Sequence, residues 1–152
     1  MSPRSADVHS GLKELVEHLA AAEGVASVVS ATRDGYYSVE IEPRASEAAP
    51  IRLEIDPDNR VVSLDFGRDS VMEFTVTEAA AGIDGLVRQV REICDAIRAG
   101  QVDEDIWVRD GRVLRSSATV RVRGRDLHTR HQSSRPGSRV EGELTHIDYA
   151  PY

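Results

Sequence analysis

The sequence predicts an α+β fold: an antiparallel sheet of about five to seven strands, two amphipathic helices packed on one face, a C-terminal hairpin and an irregular tail. Two stretches repeat apolar residues every three or four positions, the period of a helix with one buried stripe. Several short runs alternate apolar with polar residues, the period of a strand with one buried face. These runs follow one another without intervening helices, which excludes an alternating, parallel arrangement.

The first helix spans residues 7–22, with Val8, Leu12, Leu15, Val16 and Leu19 on one stripe. Ser5 or Ser10 is placed to cap it, and Gly24 to end it. Residues 25–32 and 36–43 then flank Asp34-Gly35, a hairpin signal, because both residues tolerate the positive φ of a tight primed turn. In the second of these runs Tyr37, Val39 and Ile41 alternate with Ser38, Glu40 and Glu42. Ile51, Leu53 and Ile55 repeat the pattern, and a turn at Asp56-Pro57-Asp58-Asn59 leads to Val62, Leu64 and Phe66. A further strand is read at 70–76.

Ile83, Leu86, Val90, Ile93, Cys94 and Ile97 mark the second helix, with Asp84 at its start and Gly100 at its end. Residues 106–108 and 112–123 flank Asp110-Gly111, a second hairpin. From Gly124 the alternation fails, and Gln132 to Ser138 reads as a loop by composition. The chain therefore divides into an α+β domain over 1–123 and a basic, loop-rich segment over 124–152 that docks on the body or on a partner. Its 152 residues suffice for a core without disulfides, since a domain of this size buries roughly 70% of its unfolded surface.

Charge is unevenly spread. Residues 1–108 hold 10 Lys+Arg against 21 Asp+Glu, whereas residues 109–139 hold 9 Arg against Asp110 and Asp126. Eighteen of the 19 basic residues are Arg, which together with abundant Ala and Val reflects GC-rich codons more than guanidinium chemistry. One cysteine excludes an internal disulfide and a Cys-rich zinc site. The absence of a long apolar run excludes a membrane helix, and the opening residues lack the apolar core of a signal peptide, so a cytoplasmic location is the expectation.

Candidate chemistry is sparse. His128, His131 and His146 are candidate metal or ligand contacts with Asp126 nearby, but positions three apart in a strand face opposite ways, and Arg125 and Arg130 oppose a cation. In a regular strand Arg121, Arg123 and Arg125 share one face about 7 Å apart, a spacing that fits a phosphate backbone or an acidic surface. The acidic body and the lack of interleaved aromatics disfavour nucleic acid, and Glu40, Glu42, Glu54 or Asp56 is an internal alternative. Trp107 lies near a turn and is a candidate partner anchor. Asp103-Glu104-Asp105 reads as a solvated acidic run. Cys94 falls on the buried stripe and reads as packing.

Residues 56–67 fail as a calcium loop, with Val61 and Gly67 where glycine and glutamate belong. No nucleophile elbow, Walker loop or dinucleotide fingerprint is present, and no cofactor is expected. The element order resembles small dimeric chaperones and adaptor modules in architecture, with no motif beneath the likeness. The reading is a small acidic interaction module that binds a protein partner, as a homodimer. The alternative is a small-ligand binder or enzyme with a pocket near Trp107 and His128; nucleic-acid binding through the Arg stripe ranks third.

Overall fold

A computed structural model describes residues 3–58, 60–75, 82–132 and 142–152. The order is α1 (Pro3–Ala20), β1 (Val25–Arg33), β2 (Tyr36–Pro43), β3 (Ile51–Ile55), β4 (Val61–Phe66), β5 (Ser70–Thr75), α2 (Gly82–Arg98), β6 (Val102–Arg109), β7 (Arg112–Val122), β8 (Arg125–Gln132) and β9 (Glu143–Asp148). The α+β class, the antiparallel pairing and the two helices match the expectation. The strands, however, form two sheets: a five-stranded one in the order β1-β2-β3-β4-β5 and a four-stranded one in the order β8-β7-β6-β9.

Three differences have physical causes. Residues 124–132 are not irregular, because Arg123 (φ 49°) and Gly124 (φ 76°) make a tight turn that returns the chain as β8. The tail also forms a strand, β9, paired antiparallel with β6. Ser5 and Ser10 lie inside α1 and not at its start, and Asp84 sits in the first turn of α2, where its charge favours the helix dipole. The loop read at 132–138, with Ser133 and Ser134, falls from 133 onward outside the described residues.

The two Asp-Gly turns are as anticipated, with Asp34 at φ 52° and Asp110 at φ 50°, each followed by a positive-φ glycine. Register then sorts the five-stranded sheet into two faces. Val39, Leu53 and Leu64 form one transverse row and Ile41, Ile51 and Phe66 the next; all are buried. Leu12, Leu15 and Leu19 of α1 and Leu86, Val90, Ile93, Cys94 and Ile97 of α2 cover that inner face. Val102, Ala118 and Val120 of the second sheet complete the same core. Among the described residues no helix is long and apolar enough to cross a membrane.

Residues 149–152 are packed against the body. Tyr152 donates its backbone N–H to the Arg98 carbonyl (2.9 Å) and its hydroxyl to the Ala49 carbonyl (2.7 Å). Ala150 donates to the Glu47 carbonyl at 2.9 Å. Gly24, at φ 83°, makes this closure possible, since a Cβ there would stand 2.3 Å from the Tyr152 carbonyl carbon.

Candidate functional site

With both helices on the inner side, the opposite face of the five-stranded sheet carries the residues that alternate with the core. Glu40 stands across from Arg52, and Arg52 across from Asp65, in successive strands. Glu42, Glu54 and Glu73 share this face by register. Arg52 sits among them, 3.0 Å from Glu54 and 3.8 Å from Glu40. Burial is the largest influence on Asp65 and lifts its carboxyl above the ordinary range; Arg52 pulls it down, and Glu54 and Glu73 push it up again. A groove of about 330 Å³ runs from Glu40, Arg52 and Asp65 to the β4–β5 turn at Gly67–Asp69. Carboxylates outnumber the cations on this face, where Arg52 and, at the turn, Arg68 are the guanidiniums that line the groove.

The β4–β5 turn is clasped by the second sheet through Glu104. Read by its alternation, Val102-Asp103-Glu104-Asp105-Ile106 places Glu104 on the same side as Val102 and Ile106, and that side is inward: Glu104 is fully buried, which corrects the reading of 103–105 as a solvated run. Its carboxylate accepts the backbone N–H groups of Arg68 and Asp69, both at 2.9 Å, the Ser70 hydroxyl at 2.5 Å and the Tyr149 hydroxyl at 2.7 Å. Four donors satisfy a charge that would otherwise be costly in the interior. Gly67 (φ 65°) permits the approach, because a Cβ there would lie 2.9 Å from both Glu104 Oε1 and the Tyr149 hydroxyl. Burial first, then the bond to Glu104, raises the Tyr149 phenol well above its ordinary value. Ser116 Oγ donates to the Asp69 carbonyl at 2.9 Å and Thr129 Oγ1 to the Val71 carbonyl at 2.5 Å, joining the two sheets at the same seam. With every oxygen of Glu104 engaged by structural donors, the arrangement is a joint between sheets.

The arginine stripe does not form. The strand ends at Val122, so Arg123 lies in the turn and Arg125 on the returning strand, and the three side chains do not share a face. Arg121 is bonded to Asp103 at 2.6 Å and Arg123 to Glu92 at 3.2 Å, so neither pairs with Glu40, Glu42, Glu54 or Asp56 as the internal alternative had it. Trp107 faces outward beside Arg115, whose guanidinium stacks 4.6 Å from the ring centroid, and it stands across from Leu144, a side chain 54% exposed.

The histidines are also dispersed. His128 takes a hydrogen bond with Thr119 (3.1 Å) on the outer face, and His131, on the opposite face of β8, approaches Asp69 at 3.3 Å. His146 sits on β9, with Asp105 at 2.6 Å and Asp148 at 3.1 Å, and these two bonds raise its pKa. Among the described residues no group of three or more His, Cys, Asp or Glu is placed to hold a metal ion. Trp107 and His128 belong to different regions: by register they are two strands and four positions apart, roughly 13 Å along the strand direction. His128 instead lines a cavity of about 320 Å³ with Met72, Phe74 and Leu127, at the seam of β5, β8 and α2. Cys94 is fully buried, and burial pushes its thiol up to about 12, which removes it as a nucleophile.

Set against models of protein families, against curated proteins and against solved structures, the chain matches none, so what this surface binds must be argued from its own geometry.

Proposed function

We propose that this protein is a non-catalytic interaction module whose electronegative sheet face takes a Lys/Arg-rich segment of a protein partner. The observation that carries the reading is the row Glu40–Arg52–Asp65 with Glu42, Glu54 and Glu73 around it, five carboxylates with Arg52 among them and Arg68 at the end of the groove beside Asp69. Beyond the effect of burial, Glu54 and Glu73 push Asp65 up while Arg52 pulls it down, and a cation delivered to this face is attracted by the same carboxylates. Self-association belongs to the same reading, since closed two-fold dimers are the commonest soluble oligomers. Nucleic acid is disfavoured further by the engagement of Arg121 and Arg123 within the chain.

A fluorescent Lys/Arg-rich peptide tests it. Binding should weaken as salt is raised, since exposed charges are screened beyond a Debye length of about 8 Å at physiological ionic strength. It should be lost in Glu40→Lys/Glu54→Lys/Glu73→Lys, with duplex DNA staying unbound to the native chain. DNA retention by the native chain without peptide binding would refute the reading. A second reading, small-ligand binding, is favoured by the cavity beside His128; apolar fluorescent probes displaced by Leu127→Trp would support it.

A further inference from the structure

Each sheet has two strands with a neighbour on only one side among the described residues, β1 and β5 in the first and β8 and β9 in the second. The β5 and β8 edges lie against each other at the seam, where Thr129 bonds to the Val71 carbonyl, which leaves β1 and β9 as the open edges. An edge strand presents unpaired N–H and C=O groups along its length, and proteins that stay monomeric blunt such edges by making them short or charged. The β9 strand follows that rule, with six residues that include Glu143, His146 and Asp148. The β1 strand breaks it. It has nine residues, Val25 to Arg33, carries no charge before Arg33, and is exposed at most positions on both faces. Its composition, VASVVSATR, is rich in residues that favour extended backbone. Val29 at its centre is 57% exposed, and Tyr36, on the same face across from Arg33, is 44% exposed. An uncharged, β-prone edge of this length, about 30 Å, is a template for another strand.

We infer that β1 pairs antiparallel with β1 of a second copy, joining two five-stranded sheets into one of ten. This rests on the self-association part of the reading above and names its surface. A second copy fits better than a foreign strand because the edge is complementary to itself. Antiparallel pairing about a two-fold axis at Val29 sets Arg33 at one end opposite Val25 of the second copy, two residues from its Glu23 and within reach of the long arginine side chain, and the contact occurs twice. Both groups are exposed, and among the described residues Arg33 pairs with its neighbour Asp34, at 3.8 Å. Val29 meets its own counterpart, extending the apolar strip with Ala31 and Tyr36 across the junction. The pairing uses the free edge of both copies and so closes at two, whereas a head-to-tail contact would propagate. An interface of one strand pair is smaller than the roughly 800 Å² per partner of a standard complex, so the dimer should be concentration-dependent and not permanent.

Light scattering across a concentration series reads the state directly. The native chain should rise from 16.7 kDa towards twice that mass. The variant Val29→Lys/Ala31→Lys should remain at the monomer mass at concentrations where the native chain is mostly dimer, with an unchanged circular dichroism spectrum, since both side chains are exposed. Leu144→Lys, on the β9 edge, should dimerise like the native chain. Cys94 is buried, so a single Cys introduced at Ser27, Val29 or Ala31 is the accessible thiol. Mild oxidation should cross-link at least one of these three and not Leu144→Cys. A native chain that is monomeric throughout the series would overturn both self-association and this interface. A native dimer left intact by Val29→Lys/Ala31→Lys, or cross-linked only through Leu144→Cys, would overturn the β1 interface alone.

Discussion

Glu104 shows most sharply where residue-level reading succeeds and fails. Three consecutive acids suggest a solvated run, yet Val102 and Ile106 on either side fix the phase of the strand, and that phase points Glu104 inward. The signal was present as period-two alternation; what hid it is that the compensating donors come from Arg68, Asp69, Ser70 and Tyr149, all remote in sequence. Glu104→Ala strands these donors and should cost on the order of 3–5 kcal/mol in urea unfolding. Tyr149→Phe removes one bond to a charged acceptor and should cost about 1.5–3 kcal/mol by the same measurement. The phenols of Tyr149 and Tyr152 are both raised, chiefly by burial. A raised folded-state value means that their contribution is fully present below pH about 10, the ordinary tyrosine value, and is lost as pH climbs through the higher one. Stability should therefore fall above pH about 10 in the native chain, and less steeply in Tyr149→Phe/Tyr152→Phe.

At the scale of elements, what the sequence makes visible follows burial. The strands β2, β3 and β4 have one face in the core, and their alternation reads directly from the chain. The α2 helix is equally plain, because five of its residues are buried on one stripe. The strands β8 and β9 escape because β8 has a single apolar residue, Leu127, among eight and β9 is exposed at nearly every position, so no periodicity is imposed on them. The β7–β8 turn also lacks the usual Asn-Gly or Asp-Gly pair: Arg123 occupies a conformation that suits asparagine better. Arg123→Asn should therefore stabilise the fold by up to about 1 kcal/mol in thermal unfolding, since it relieves that strain. The ion pair it sacrifices, with Glu92, involves a guanidinium 79% exposed and contributes little.

For the whole molecule, the opposing charges of its two halves are partly reconciled inside the chain. Arg121 and Arg123 turn towards Asp103 and Glu92, while the carboxylates of the first sheet's outer face keep only Arg52 for company among the partners described. A charge sum over segments predicted the imbalance but not its location, because side-chain direction depends on where the sheet breaks and turns. The final residues tie the C-terminal end of the chain back to the acidic part at Gly24, Ala49 and Arg98. Gly24→Ala both strains a φ of 83° and evicts Tyr152, and should cost on the order of 1–3 kcal/mol. Hydrogen exchange should show the loss concentrated in β9 and residues 149–152.

The Glu104 joint also orders events in time. Hairpins of the first sheet close over a few residues each, but Tyr149 reaches Glu104 across 45 positions of chain, and loop closure of that length is slow to be rewarded. The phenol should thus arrive after the rate-limiting barrier, as a latch on a structure already assembled. In a denaturant chevron, Tyr149→Phe should then raise the unfolding limb and leave the refolding limb in place, so that the tyrosine governs how long the folded molecule persists and not how fast it forms.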